Sequence, residues 1–305
     1  MAVTLRPTDW RDAQILYRNR AKGLYLDTAL ALTRGGSFAS GVLRSFFSPT
    51  TGVFTWICTD DCDQQPILGQ FRYTNDSPFA RLTLLAPEEM LESPITISLL
   101  EQLAQQAGEH GAFNLLAEIE EQSTAFESLR KAGFVVYARQ RVWKLKENGE
   151  IFKVEIPWKT ASKQDALSAL SLYHSVVPGL VQQVEPLSNK NIRGLVCHNT
   201  KNLLGYIDLK FGPRGVWAQP FIHPDVVNVE ARIKDLYESI PNRRSRPVYF
   251  CVRSYQSWLE TSLDALGAEA GPTQAVMVKR LAVQHQAQRP FALPQIDGQH
   301  EISTP

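Results

Sequence analysis

The chain has 305 residues, 44% of them hydrophobic and 21% charged, and its 32 lysine and arginine residues nearly balance 31 aspartate and glutamate residues. This composition is typical of a globular protein rather than a disordered one, and the length predicts about two domains. The formal net charge of +1 lacks the basic excess expected of a protein that binds nucleic acid or an anionic membrane.

The elements predicted for the first part of the chain alternate between strands and helices. In chain order they are a strand at 3–6, a helix at 9–21, strands at 53–59, 66–73 and 80–85, a helix at 94–109, a strand at 113–119, a helix at 124–133 and a strand at 134–145. Residues 24–50 are rich in Gly, Ser and Phe and are ambiguous, with a second helix suggested at 39–47. Ser93 followed by Pro94, and Thr124 followed by Glu127, are helix-start signals.

The second part of the chain repeats this order. It predicts a helix at 163–175, strands at 195–198, 203–211 and 216–222, a helix from an Asp225 cap to Ile240, a strand at 248–252, a helix capped by Ser257 and a strand at 274–283. Residues 284–305 are polar, contain three prolines and show no periodicity, so they are predicted to form a tail.

Three short sequence matches support an internal duplication. Leu85-Ala86-Pro87 returns as Ile222-His223-Pro224. Ile67–Phe71 reads Ile-Leu-Gly-Gln-Phe, and Leu203–Ile207 reads Leu-Leu-Gly-Tyr-Ile. Leu129–Gly133 returns in the same way as Leu263–Gly267, at nearly the same offset. Matches in one order at a near-constant offset indicate two copies of one domain, predicted at 1–148 and 149–283, with a turn at 147–150 between them.

Other sequence features limit location and metal content. Charged residues at Arg6, Asp9 and Arg11 interrupt any apolar leader, and no run approaches the roughly 18 apolar residues of a membrane span. Four cysteines are too few for a disulfide framework, so the expected location is cytoplasmic. Cys58 and Cys62 form the closest pair, but no Cys or His cluster completes a metal site, and none is predicted.

The order of elements resembles the GNAT superfamily of N-acetyltransferases. The resemblance is strongest from Phe113–Ile119 through Ser128–Phe134, which is similar to the family's fifth strand, fourth helix and Gly-Phe step into the sixth strand. It implies an α/β fold of two tandem GNAT-like domains, each a mixed, mostly antiparallel sheet flanked by helices. It also implies an acetyl-CoA or other acyl-CoA cosubstrate and an acceptor amine on a small molecule or peptide; whether the chain forms an oligomer stays open.

The resemblance also implies positions for the cosubstrate. Its pantetheine arm pairs with the fourth strand of the fold, which ends near Leu85, in a cleft where the fourth and fifth strands part. Its pyrophosphate lies on backbone N–H groups at the start of the next helix, near Ser93 and Thr96 in the first copy and Arg232 in the second. Glu118 and Glu120 lie on one face of the fifth strand and could reach the cleft as a general base, with Glu118 the candidate named; solvated carboxylates are the alternative.

The sequence departs from the family pattern at the phosphate sites. Pro94 and Thr96 stand at the glycine positions of the first copy, and Glu230 and Arg232 stand at those of the second. Three further carboxylates, Glu88, Glu89 and Glu92, would repel a pyrophosphate in the first copy. Two functions are therefore predicted as alternatives, an N-acyltransferase and a catalytically degenerate tandem protein that serves in binding or as a scaffold.

Weaker candidates each have an alternative structural reading. His223 is a candidate base or a cap-region histidine, and Tyr255 and Gln256 lie where family members contact the cosubstrate. Arginines at 243, 244 and 246 fit either a 3′-phosphate contact or a solvated loop. Five aromatic residues either line an acceptor pocket or fill the core: Phe38, Phe46, Phe47, Phe54 and Trp56.

Overall fold

A computed structural model describes most of the chain. The described residues are 3–19, 21–35, 52–60, 65–145, 157–188, 192–199 and 202–281. The suggested helix at 39–47, Cys62, the turn at 147–150 and the tail at 284–305 lie outside these ranges. Within them, no helix is long and apolar enough to cross a membrane.

The first half contains seven strands and four helices among the described residues. The strands are β1 (Val3–Pro7), β2 (Leu24–Tyr25), β3 (Val53–Asp60), β4 (Ile67–Arg72), β5 (Phe79–Ala86), β6 (Asn114–Glu120) and β7 (Val135–Leu145). The helices are α1 (Ala13–Asn19), α2 (Thr28–Arg34), α3 (Pro94–Glu109) and α4 (Ala125–Lys131).

The second half follows the same plan. Its described strands are β8 (Lys159–Thr160), β9 (Gly194–His198), β10 (Leu203–Phe211), β11 (Val216–Ile222), β12 (Val248–Arg253) and β13 (Glu269–Arg280). Its described helices are α5 (Ala166–Val176), α6 (Gly179–Val184), α7 (Val229–Ser239) and α8 (Trp258–Ala265).

Most predicted elements are present, with one clear error at a helix start. Helix α3 begins at Pro94 and ends at Glu109, as predicted. Asp225 is not the cap of α7, because that helix begins at Val229 and its N-cap is Asn228 in a left-handed conformation. Thr124 and Ser257 precede their helices but make no side-chain capping bond, since both already have helical backbone angles.

The thirteen strands of the described ranges belong to one sheet, and the halves exchange their last strands. The order is β1-β3-β4-β5-β6-β13-β7-β12-β11-β10-β9-β8, with β2 paired to β5 off this path. Strand β13 of the second half therefore lies between β6 and β7 of the first half, and β7 pairs with β12. The sequence predicted two separate sheets; the domain limits 1–148 and 149–283 stay predictions.

A pseudo-twofold axis passes through the centre of this sheet. In the antiparallel pair of β7 and β13, Gln140 lies opposite Gln274, its equivalent in the repeat, and their amides bond at 2.9 Å. The same relation appears in the outer strands, where Gly69 pairs with Leu85 and Gly205 pairs with Ile222. The duplication predicted from three short matches is therefore present in strand register as well as in element order.

Helices cover both faces of the sheet. On one face, α3 packs on β3 and β4 of the first half, and α7 and α8 pack on the second half. On the other face, α2 of the first half packs on β10 and β11 of the second, and α6 of the second half packs on β7 of the first. This crossing of helices encloses polar side chains between the halves.

Gly205 of β10 lies directly against the ring of Trp158. A Cβ built on Gly205 would lie 2.7 Å from Trp158 Cη2, which is far inside van der Waals contact. Because an indole ring cannot fold away, we expect Gly205→Ala to lower the free energy of unfolding by about 1–3 kcal/mol, as overpacking does. Urea denaturation followed by tryptophan fluorescence measures the change.

Gly179 provides the matched control for that substitution. A Cβ on Gly179 meets nothing within 4 Å, and the residue is the first of helix α6. Gly179→Ala should therefore leave stability unchanged or slightly raised, because alanine favours a helix over glycine. Equal losses in both variants would show that the contact with Trp158 has no energetic weight.

Candidate functional site

The cleft of the first half is filled by the chain itself. Strands β5 and β6 pair in parallel from Phe79 and Asn114 as far as Arg81 and Leu116, and then part. Residues 22–26, here called the inserted segment, enter that opening, with Leu24 opposite Leu85.

Backbone hydrogen bonds hold the inserted segment against both strands. The Leu26 N–H donates to the Thr83 carbonyl at 3.0 Å, and the Glu118 N–H donates to the Leu26 carbonyl at 2.9 Å. The Glu88 N–H, at the start of the predicted phosphate loop, donates to the Lys22 carbonyl at 2.8 Å. The inserted segment thus takes the strand edge on which the resemblance placed a pantetheine arm.

Close packing shows that the inserted segment is a fitted part of the fold. A Cβ on Gly23 would lie 2.6 Å from Leu84 Cδ1 and 3.3 Å from the Leu85 carbonyl oxygen. Leu26 is 1% exposed and belongs to the core of the first half. Displacing the segment would therefore expose apolar surface and break backbone hydrogen bonds.

The predicted phosphate-site residues of the first half have structural contacts. Thr96 is fully buried, its hydroxyl donates to the Met90 carbonyl at 3.0 Å, and its N–H donates to the Ser93 carbonyl at 3.0 Å. Ser93 is the N-cap of α3 but makes no side-chain capping bond. Glu88, Glu89 and Glu92 are exposed before this helix, where carboxylates favour its positive end.

The second half has a different obstacle at the equivalent edge. Beyond Ala218 and Phe250, strands β11 and β12 part as their counterparts do. The strand register places Ile222 at the position of Leu85, and Pro220, two residues before Ile222, corresponds along the chain to Thr83. Pro220 has no N–H to donate, and the Ile222 carbonyl already accepts a bond from Gln256 Nε2 at 3.1 Å.

Arg232 stabilises the loop before α7. The side chain is buried; its Nε donates to the Val227 carbonyl at 3.0 Å and its Nη1 contacts Cys197 Sγ at 3.0 Å. These bonds turn the guanidinium group inward. The roles predicted for Leu85, Ser93, Thr96 and Arg232 stay predictions, and the contacts of all four favour structural roles.

Glu118 belongs to a buried ion network between the halves. Its carboxylate accepts bonds from Arg81 Nη1 at 3.1 Å and from the Thr28 N–H at 2.9 Å. Arg81 also lies 3.5 Å from Glu185, which Arg253 contacts at 3.1 Å. With both oxygens engaged, Glu118 joins β6 to α2 and β5, and its role as a general base stays a prediction.

Glu185 is the central anion of this network. Burial alone would raise the pKa of Glu185, but the guanidinium groups of Arg253 and Arg81 outweigh it and lower that pKa to about 2. Burial raises the pKa of Tyr137 well above its usual value, so its hydroxyl stays protonated and donates to Glu185. Among the described residues, Nε and Nη1 of Arg253 have no hydrogen-bond partner, so its bond to Glu185 matters more.

Sequence reasoning did not single out Glu185 or Arg253. The available signal was an arginine within or directly after an apolar strand, since Arg81 interrupts β5 and Arg253 ends β12. Buried arginines are rare without a partner, so two of them predict buried carboxylates nearby. The sequence could not show which carboxylates these were, because the partners are distant along the chain.

An inner pocket lies beside the cleft of the second half. It has a volume of about 250 Å³ and is lined by side chains that include Tyr173, Tyr206, Phe221, Tyr255 and Asp208. Burial raises the pKa of Asp208, although the positive charge of Lys210 opposes the shift. Its nearest described hydrogen-bond donor is the Tyr206 hydroxyl, at 3.4 Å. A protonatable carboxyl group and several rings suit this pocket to a small ligand.

The remaining candidates lie apart from this pocket. His223 Nδ1 is 3.5 Å from the exposed carboxylate of Asp225, the residue that was predicted to cap α7. Arg243 stacks on Tyr237, and Arg246 donates to the Gly212 carbonyl at 2.6 Å, so both support a loop. Cys58 is buried in the core of the first half.

The last candidates are aromatic residues and residues that could bind a metal ion. Phe54 and Trp56 pack on the first core, whereas Phe38, Phe46 and Phe47 lie outside the described ranges. Within the ranges that the structure describes, no group of three or more His, Cys, Asp or Glu residues could hold a metal ion.

The fold and its two parted clefts define the structural class, a tandem GNAT fold. A GCN5-related N-acetyltransferase from Sphaerobacter thermophilus matches with a TM-score of 0.56 and 11% identity, over 91% of this chain and 95% of that one. A tandem GNAT protein from the clavulanic acid biosynthesis pathway matches with a TM-score of 0.54 and 13% identity, over 92% and 98% of the two chains. No protein-family model matches the sequence, and no curated protein matches it.

Proposed function

We propose that this chain is a ligand-binding protein built on the tandem GNAT fold, which does not use acyl-CoA at the strand edge of either half. The observation that carries this proposal is the pairing of Leu24 with Leu85 inside the first cleft. Pro220 and Gln256 support it in the second half, where one donor is missing and one carbonyl is engaged. The ligand would lie between the halves, where the polar side chains and cavities are concentrated.

The backbone around the first cleft fits acyl-CoA poorly, which agrees with the absence of the family's glycines at the start of α3. A pantetheine arm needs free backbone groups on the strand edge, and a pyrophosphate needs close approach to backbone N–H groups at a helix start. In the first half, the Glu88 N–H is bonded to Lys22, and Thr96 is fully buried.

Calorimetric titration with acetyl-CoA tests the proposed function. We expect no saturable binding that depends on the acetyl-pantetheine part of the molecule, so acetyl-CoA and 3′,5′-ADP should give the same response. Tight binding of acetyl-CoA with none of 3′,5′-ADP would contradict the proposal. Thermal unfolding with and without each ligand provides an independent measurement, because a ligand that binds the native state stabilises it.

Acyl transfer to an amine in the second half is the second candidate. It is favoured by the inner pocket, and by the parting of β11 and β12, into which no other strand of the described chain inserts. The likeness to acetyltransferases supports acyl transfer as a general function of this fold, and a shared fold alone does not establish it here. Asp208, with its raised pKa, would hold the acceptor amine or remove its proton.

Thiol release from acetyl-CoA in the presence of small amines and peptides tests this candidate. If the second half transfers acyl groups, Asp208→Asn should lower the rate by about 10²–10⁴-fold, the usual contribution of an acid–base group. Glu127→Gln, which changes an exposed carboxylate of α4, is the control and should retain the full rate. No release with any amine would remove the candidate.

A further inference from the structure

A second cavity between the halves carries a concentration of positive charge. It has a volume of about 840 Å³ and is lined by α2 and the ends of β4 and β5 from the first half, and by β8, β9 and β10 from the second. Its cationic side chains, which define the basic chamber, are Arg34, Arg72, Arg81, Arg193 and Lys210. We infer that the basic chamber binds a small, multiply charged anion that carries phosphate or carboxylate groups, an inference that rests on the proposed binding function.

The carboxylates of the chamber do not balance these cations. Two line it, Asp27 and Asp208, against five cationic side chains. Asp27 accepts a bond from the Leu30 N–H at 3.0 Å, as the N-cap of α2. Burial raises the pKa of Asp208, which weakens its hold on a negative charge. The chain as a whole carries only +1, so the excess here is a local feature.

Four of the five cations form no ion pair with a carboxylate of the described residues. Arg81 is engaged by Glu118 and Glu185. The other four are Arg34, Arg72, Arg193 and Lys210. No carboxylate oxygen of the described residues lies within 4 Å of their charged nitrogen atoms. Like charges facing one another across a concave site repel, and a bound anion removes that repulsion.

The geometry favours a small anion over a nucleic acid. The chamber is a recess with walls from both halves, and its uncharged lining residues include Thr160, Ile192 and Leu209. Arginine binds phosphate and carboxylate through paired hydrogen bonds, and arginines on opposite walls can hold separate groups of one ligand. At its inner end the chamber shares Arg81 and Asp208 with the inner pocket, which leaves room for an uncharged part of the ligand.

This site is distinct from the phosphate position that the resemblance implied. That position is at the start of α3, which packs on β3 and β4 on the other face of the sheet. The chamber instead involves α2, which continues directly from the inserted segment through Asp27. The segment that closes the first cleft therefore also places α2 as one wall of the chamber.

Isothermal titration with pyrophosphate, tripolyphosphate and citrate tests the inference, with spermidine as a cationic control ligand. We expect saturable binding of at least one anion, weakened by added salt. Arg72→Glu and Arg193→Glu should each weaken that binding by about tenfold or more, because each substitution reverses a charge at the site. Arg130→Glu is the matched control, since Arg130 is exposed on α4 and pairs only with Glu127 among the described residues.

The outcomes separate the two proposals. No binding of any of the three anions, or equal binding by all variants, would overturn the anion site and leave the proposed function standing. Acetyl-CoA binding that survives both Arg72→Glu and Arg193→Glu would overturn the proposed function instead. Duplex DNA binding that both reversals abolish, without small-anion binding, would also overturn the small-anion site. Both substituted side chains are exposed, so circular dichroism should show an unchanged fold.

Discussion

Replacing Glu185 with glutamine should lower the free energy of unfolding at neutral pH by about 3–5 kcal/mol, the usual cost of removing one partner from a buried ion pair. Glu185 faces two guanidinium groups, those of Arg253 and Arg81, and the Arg253 side chain is only 3% exposed. The amide of glutamine keeps the size of the side chain but removes its charge. The Arg253 guanidinium would then be a buried positive charge with no carboxylate partner among the described residues, and Arg81 would keep only Glu118, which is why we expect a large loss.

The loss should depend on pH in a defined direction. The pKa of Glu185 is lowered from an ordinary value of 4.5 to about 2 in the folded chain. A lowered pKa stabilises the fold above the unfolded value and ceases to do so as the pH falls through the folded value. The difference between the wild-type chain and Glu185→Gln should therefore be full above about pH 4.5 and shrink toward pH 2.

Urea denaturation at several pH values measures both effects. Glu127→Gln is the control, because Glu127 and Arg130 form an exposed pair on α4 at 3.2 Å. Exposed pairs contribute about 0–1 kcal/mol, so this variant should unfold almost as the wild type does. Similar stability for Glu185→Gln and Glu127→Gln at neutral pH would contradict our assignment of Glu185 as the central anion.

A chain that ends at residue 268 should fail to fold cooperatively. It lacks β13, whose residues Ala275 to Val278 are all nearly or fully buried and pair with β6 and β7 of the first half. Full burial of one valine or methionine stabilises a protein by about 1.5–3 kcal/mol, and total stability is commonly about 5–15 kcal/mol. The three buried residues Val276, Met277 and Val278 alone would account for about 4.5–9 kcal/mol, which is comparable with that total, and the loss would also leave two unpaired strand edges.

A chain that ends at residue 283 is the control for this truncation. It retains β13 and lacks only the predicted tail, so it should keep the far-ultraviolet circular dichroism and the single urea transition of the full chain. A folded first half in the 268-residue chain would contradict the importance of the exchanged strand. A fragment of residues 1–148 also lacks β13. It should regain the fold when residues 149–305 are added as a separate chain, because β13 returns with them.

The local elements were predictable because their signals are local. Helix α3 has proline at its first position and runs to its predicted end, and the repeats around Gly69 and Gly205 share one strand register. Helix α4 was equally predictable, since it ends at Lys131, just before Gly133. In each case the deciding residues lie within a few positions of the element itself.

The exchange of strands and the closed cleft were not predictable in the same way. Strand β2 has two residues in a Gly-, Ser- and Phe-rich region, and its pairing with Leu84 and Leu85 depends on contacts about sixty residues away. An exchanged β13 has the same sequence pattern as one that stays in its own half, because the pattern sets burial and not the partner strand. The departures at Pro94 and Thr96 predicted an altered phosphate site, which stays a prediction, and they gave no indication of the inserted segment.

Because Gln140 lies opposite its own equivalent, Gln274, the chain has the symmetry of a homodimer whose subunits trade a strand and are joined end to end. In a true homodimer, every substitution appears twice, so both clefts must stay open or both must close. A joined chain escapes that constraint. Here the two clefts differ: residues of the first copy pair inside its own cleft, whereas the Ile222 carbonyl of the second copy accepts a side-chain bond from Gln256, so the two halves do not present the same surface.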